Sequence, residues 1–350
     1  MKEDAQKKTY IIIRLSALGD VSMTLPYIYN IAKGHPHDLF VFVTQPFMSG
    51  LFLEAPKNVV IERLDKGKVR NIMQLMSFAR QLHFAYRKAV VIDLHDVIRT
   101  KSIRSVMKLY GHKTYRLRKP RMARKKLTSR SNGTVVPPQL YLPKMTDLYE
   151  HLIRKAGLTF CDPIQTIIPR QKTLDRITIG VAPHAQHRGK RISKEQTIEL
   201  IDALLKTFPK GQIILYGAPG SETEQNREII QRCGSSVVRL TEGRSLKEEI
   251  EEIARLHCMV SMDSANQHIA AMVGTPVISI WGATHPAGGF LPFGIDEGQC
   301  YGIELDCRPC SIFGNKPCHR GDWACLEQMN MEDVAKKVSI LIGGDKIIAE

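Results

Sequence analysis

The sequence predicts an α/β protein made of two parallel-sheet domains. Short apolar runs recur along the chain, each followed by a loop and then by a stretch of helical spacing, which is the rhythm of βαβ units. The rhythm stops around Pro163, Pro169 and Arg170-Gln171-Lys172, and a second series then begins. At 350 residues the chain is long enough for two domains with a core each.

Tyr10-Ile11-Ile12-Ile13-Arg14-Leu15 opens the first series as a strand, Ser16 to Asp20 turns, and Val21 to Lys33 has helical spacing. Strands follow at Leu39 to Val43, Val59 to Ile61 and Ala89 to Leu94, with a helix from Val69 to Leu82 between the last two. The second series reads as strand Ile177 to Val181, helix Gln196 to Phe208, strand Gln212 to Tyr216, helix Glu222 to Cys233 and strand Val237-Val238. It continues with helix Leu246 to Leu256, strand Cys258 to Met262, helix Asn266 to Val273 and strand Pro276 to Trp281. We therefore expect a first domain over 1–170 with a basic segment at 97–146, a second over 174–328 with a cysteine-rich loop at 300–325, and a terminal helix within 329–350. Ligand is expected where the carboxyl ends of the two sets of strands face a cleft.

No apolar run is long enough to span a membrane, and the polar start Met1 to Lys8 lacks the core of a signal peptide, so a cytoplasmic protein is expected. Net charge is +15 and unevenly placed: between Asp96 and Asp147 there is no carboxylate but fourteen Lys or Arg, and the remainder of the chain is nearly neutral. Such a field attracts anions: nucleic acid, an anionic lipid surface, or a phosphorylated or carboxylated substrate. Nucleic acid is the weaker reading, because only Tyr110 and Tyr115 are there to stack on bases. Cys307-x2-Cys310-x7-Cys318-x6-Cys325 could bind zinc through four thiolates, but the second pair is not a tight C-x2-C, and reduced structural thiols are the stronger reading.

Four loops carry chemistry. Gly19-Asp20 opens a helix, where the carboxylate serves either as a cap or as a general base. His184 to Arg191 is a cationic loop after a strand, in which Lys190 and Arg191 suit a diphosphate; solvated surface charge is the simpler alternative. Gly217 to Glu224 either admits a nucleoside, with an acid accepting from ribose hydroxyls, or is a plain turn. Asp263-Ser264-Ala265-Asn266-Gln267-His268, followed by Trp281-Gly282-Ala283-Thr284-His285-Pro286, places small residues at a helix start that could bind a diphosphate, with His268 alternatively a core histidine. Neither G-x-G-x-x-G nor G-x4-G-K-[ST] occurs, which weakens dehydrogenase and ATPase readings.

In order and spacing these four motifs resemble glycosyltransferase family nine, the ADP-heptose:lipopolysaccharide heptosyltransferases, over nearly the whole chain. The family's S-x-L-G-D-V-x-x-T-L-P stands as Ser16 to Pro26, its Lys-Arg loop as Lys190-Arg191, its G-x-P-G-E-like turn as Gly217 to Glu222, and its D-[ST]-G-x-x-H-x-A-A as Asp263 to Ala271. The resemblance implies a GT-B fold of two Rossmann-like domains and an inverting transfer that uses a nucleotide sugar and no metal. It makes Asp20 the general base and Lys190 the group that stabilises the leaving diphosphate. Arg191, Gly217, Glu222, Asp263, Ser264, Ala265, His268 and Thr284 become donor residues. Lys101 matches a family Lys-Ser in the acceptor region, with Arg99, Arg104 and Arg121 as neighbours. The implied partners are a nucleotide sugar, which in this family is ADP-heptose, an anionic lipid-linked acceptor and the inner membrane surface. Ala265 and His285 depart from the family's usual Gly and Asp, so transfer from a different nucleotide sugar stays open; a non-transferring epimerase of the same two-domain build is a separate alternative.

Overall fold

The computed structural model describes residues 7–129, 136–171, 173–234 and 238–343. Five parts of the expectations lie outside them: the polar residues 1–6, residues 130–135 of the basic segment, Lys172 of the linker stretch, Val237 of one strand, and 344–350 of the terminal segment.

Contacts divide the chain into two units. The first comprises Met1–Lys119 and Met145–Ile167, the second Pro120–Lys144 and Ile168–Glu350. This differs from a single boundary near residue 170, because the second part of the basic segment leaves the first unit. Leu127 and Val136 are buried against Ala287, and the Leu142 amide donates to the Ala287 carbonyl at 2.9 Å. Arg124, one of the cations of the basic segment, is buried over the Phe290 ring at 4.6 Å.

In the first unit, β1 (Thr9–Ile13), β2 (Leu39–Thr44), β3 (Val59–Arg63), β4 (Val90–Asp93) and β5 (Thr114–Arg116) form one parallel sheet in the order β3-β2-β1-β4-β5. Ile11 is in register with Val41 on one side and Val91 on the other. A strand covered on both faces reads as a continuous apolar run, and Tyr10 to Ile13 is buried throughout. Leu75, Ala79 and Leu82 of the helix Ile72–Ala85, with Ile103 and Met107 of the helix Ile98–Leu109, close one face.

In the second unit, β6 (Thr178–Ala182), β7 (Gln212–Leu215), β8 (Val238–Leu240), β9 (Cys258–Met262), β10 (Val277–Ile280) and β11 (Cys300–Tyr301) run parallel in the order β11-β10-β9-β6-β7-β8. Leu200 and Leu204 of the helix Lys194–Thr207 pack with Val334 and Val338 of the helix Met331–Ile342 over β6, β9 and β10. Among the described residues no helix is long and apolar enough to cross a membrane.

Candidate active site

In a doubly wound sheet, ligands bind outside the carboxyl ends of the strands where the strand order reverses. The first sheet reverses between β1 and β4, the second between β6 and β9. The loops leaving those four strands carry Asp20, His95, Lys190 and Asp263.

Asp20 is the third residue of the short helix Leu18–Ser22, and its Oδ2 accepts from the Ala17 amide at 3.1 Å. The same oxygen pairs with Arg14 Nη2 at 2.6 Å, so the carboxylate is capped and held in one orientation, while its side chain keeps 23% exposure and can meet a ligand. Arg14 is buried; it donates to the Leu94 carbonyl at 2.7 Å and lies over Tyr149 at 5.7 Å. Burial opposes its charge, but Asp20, Tyr149 and Asp93 outweigh that and hold its pKa above the ordinary value. His95 Nδ1 accepts from the Leu15 amide at 3.3 Å, and burial, then Arg14 and Lys119, push the ring's pKa down to about 3. His95 therefore sits beside the acid as a neutral ring.

Of the expected acceptor residues, Arg99 is partly buried with no hydrogen-bond partner for Nη1, and Lys101, two residues further along the same helix, is half-buried. Lys66, which the sequence did not single out, donates to Ser16 Oγ at 3.4 Å, and burial followed by Arg99 lowers its pKa. Arg104 is engaged by the fold: it pairs with the fully buried Asp93 at 2.6 Å and with Asp96 at 3.5 Å. Arg121 opens the helix Arg121–Thr128, which belongs to the second unit.

In the second unit Lys190 Nζ meets Asp263 Oδ2 at 2.8 Å, their side chains 16% and 5% exposed, so the pair straddles the β6–β9 reversal. The Gln267 amide donates to Asp263 Oδ1 at 3.0 Å and to His268 Nε2 at 3.3 Å, which makes His268 a buried member of this network. Gly189 must lack a side chain: a Cβ there would lie 2.8 Å from the Gly314 carbonyl and 2.9 Å from Ala283. Ser264 and Ala265 stand half-buried at the start of the helix Ala265–Met272.

The loop after β7 is drawn tight by Glu222, whose Oε2 accepts from the Ala218 amide at 2.7 Å. A Cβ on Gly217 would lie 2.8 Å from Asn226 Nδ2 and 3.2 Å from His184. His184 Nε2 bonds Asn226 Oδ1 at 2.8 Å, and the buried Nδ2 of Asn226 has no partner. Asn226 escaped the sequence reading because it lies inside an ordinary amphipathic helix, Ser221–Cys233. Arg191 lines a cavity of about 440 Å³ with His184, Arg188, Ser193, Lys194 and Gln225. Thr284 is buried with an unpartnered Oγ1, and its carbonyl accepts from Arg308 at 3.1 Å.

Arg308 belongs to the cysteine-rich loop. It is buried and also donates to the carbonyls of Gly282 at 2.6 Å, Trp281 at 2.8 Å and Ile303. All eight cysteines are free thiols, and burial raises those of Cys258, Cys300 and Cys325 to about 12. Among the described residues no group of three or more His, Cys, Asp or Glu is placed to hold a metal ion.

His285 Nδ1 accepts from the Ala287 amide at 3.1 Å, and burial and then Arg308 push its pKa down to about 4. His95 and His285 thus resist protonation in the fold, whereas both titrate near 6.5 when unfolded. The unfolded chain gains protons that the folded chain refuses, so stability is complete above about pH 6.5 and falls as pH drops toward 4 and 3, by at most about 1.4 kcal/mol per pH unit for each ring. The thermal midpoint should fall between pH 7 and pH 5, and His95→Gln and His285→Gln should each flatten that slope. An unchanged slope in both variants would contradict the assignment.

Comparison with known proteins bears on the family and the fold. The description of glycosyltransferase family 9 (heptosyltransferase) matches residues 124–313. The solved structure of E. coli heptosyltransferase WaaC with ADP superposes with a TM-score of 0.67 at 17% identity, covering 95% of this chain and 99% of that one. A family 9 glycosyl transferase from Veillonella parvula gives a TM-score of 0.70 at 17% identity, over 96% and 97%. E. coli ADP-heptose lps heptosyltransferase II gives 0.63 at 18%, over 97% and 99%. No curated protein sequence matches the chain. The two parallel-sheet units are those of the GT-B fold. Since the family description takes in more than half of its residues, the chain belongs to glycosyltransferase family 9, the heptosyltransferases.

Proposed function

We infer that the protein transfers a sugar, with inversion, from a nucleotide diphosphate donor to a hydroxyl of an acidic, lipid-linked saccharide. ADP-heptose is the donor and the lipopolysaccharide inner core the acceptor in this reading. The observation that carries it is the Lys190–Asp263 pair at the strand reversal of the second sheet, with Arg191 next in the chain and lining a cavity beside His184.

The second unit holds the donor. Lys190 neutralises the diphosphate as the bond to the anomeric carbon breaks, and the helix start at Ser264 to Asn266 adds amide dipoles. Arg191 supplies a further cation, and Glu222, Asn226 and Thr284 contribute polar contacts. Asp263, oriented by Gln267, faces the sugar while its charge is shared with Lys190. The first unit holds the acceptor. Asp20, fixed by Arg14, removes the hydroxyl proton as the oxygen attacks. Arg99, Lys66 and Lys101 attract the acceptor's carboxylates or phosphates. The reaction would take place on the cytoplasmic face of the inner membrane.

Thermal-shift measurements against ADP-, UDP- and GDP-linked sugars, followed by turnover with an acidic saccharide acceptor, test the reading. Stabilisation by ADP-heptose above the other donors, and sugar release that requires the acceptor, are expected. Preference for another nucleotide sugar would overturn the donor, and epimerised sugar formed without acceptor would overturn transfer.

A further inference from the structure

Helix Ile72–Ala85 is apolar on two faces. Leu75, Ala79 and Leu82 enter the core of the first unit, as an amphipathic helix requires. Met73, Met76, Arg80 and Phe84 recur every three or four residues on the opposite side, with Met73 75% and Phe84 56% exposed. The neighbouring helix Ile98–Leu109 ends beside it: Tyr110 stacks on His83 at 4.1 Å, and the preceding Leu109 is 85% exposed. Folding explains none of these outward side chains.

Along this part of the sequence the charge is almost all of one sign, and the acid that reaches it from β3, Glu62, is half-buried and accepts from Tyr86 Oη at 2.6 Å. From Asp65 to Asp147 the only carboxylates in the sequence are Asp93 and Asp96, and both are buried against Arg104. Arg80 lies within the apolar row, and Arg87 covers the Phe84 ring at 5.7 Å. A surface that presents apolar side chains among cations, with no exposed acid, matches an anionic bilayer: the cations meet lipid phosphates and the apolar groups enter the acyl boundary. A second copy would bring the same cations face to face across a two-fold axis, which opposes self-pairing. A nucleic acid would use the cations but leave Met73, Met76 and Leu109 without purpose.

We propose that the outer face of these two helices, centred on Met73, Met76, Phe84 and Leu109 with Arg80 and Arg87, is the surface by which the protein lies on an anionic membrane. The proposal deepens the lipid-linked acceptor reading by naming the docking face, but its test needs neither donor nor acceptor. The full chain is floated with vesicles of phosphatidylglycerol and phosphatidylethanolamine in equal parts, and with vesicles of phosphatidylcholine alone. Binding to the first only is expected, weakening as salt rises. The variant Met73→Ser/Phe84→Ser/Leu109→Ser and the variant Arg80→Glu/Arg87→Glu should each bind at least tenfold more weakly, with unchanged thermal midpoints and unchanged turnover of a lipid-free acceptor. Wild-type indifference to anionic vesicles overturns the proposal, as do variants that float like wild type. A dimer that the triple variant dissolves, or a nucleic-acid complex formed in place of vesicle binding, overturns it in favour of those partners. Loss of turnover on the lipid-free acceptor by the wild-type protein would instead count against the transferase reading, whatever the vesicles show.

Discussion

Replacing Asp20 by Asn is expected to lower kcat by about 10²- to 10⁴-fold, the range for loss of a general base, while donor affinity stays near that of the native protein. The substitution keeps the shape of the side chain and removes its negative charge. The residues proposed to hold the donor lie in the other unit, so the effect should fall on the chemical step and not on donor binding. Arg14 loses its anionic partner but retains the Leu94 carbonyl and the Tyr149 ring, so the first unit should remain folded at a somewhat lower midpoint. Single-turnover kinetics with saturating donor check this directly, and turnover within tenfold of native would remove Asp20 from the role of base.

Lys190→Ala should affect both rate and stability. The rate should fall by about 10²- to 10³-fold through loss of the cation opposite the departing diphosphate. Asp263, only 5% exposed, would lose its counter-charge, and breaking a buried pair in this way costs about 3–5 kcal/mol, fewer where solvent reaches it as at Lys190. The double variant Lys190→Ala/Asp263→Asn should recover most of the stability and none of the rate, because no lone charge is left buried and no cation is restored. If the double variant regained activity, Lys190 would be a structural residue and not a catalytic one.

The sequence makes the strands at the centre of each sheet legible, since Tyr10 to Ile13 and Cys258 to Met262 are buried throughout, the first an unbroken apolar run and the second broken only by Ser261. The edge strands β5 and β11, of three and two residues, are too short to show any alternation and pass unseen. One helix expected over Val21 to Lys33 is two, Leu18–Ser22 and Leu25–Gly34; Pro26 lacks an amide proton and so belongs in the first turn of the second helix, not inside a longer one. The excursion of Pro120–Lys144 into the second unit leaves no local signal, because its cause lies at Ala287, far along the chain. The same holds for the site. Asp20, Lys190 and Asp263 announce themselves at strand ends next to small residues. Arg104 reads as one cation among many, and only its two buried carboxylates reveal that it braces the turn after β4. Lys66 and Asn226 acquire meaning only from neighbours brought by other elements.

Arg308 fastens the cysteine-rich stretch to the backbone of Trp281, Gly282 and Thr284. The stretch behaves as a splint whose fixing pin is a guanidinium and not a thiol. Chimeras that exchange this region among relatives would have to carry the arginine with the insert, whereas its cysteines could be varied singly with less harm to the neighbouring strand end.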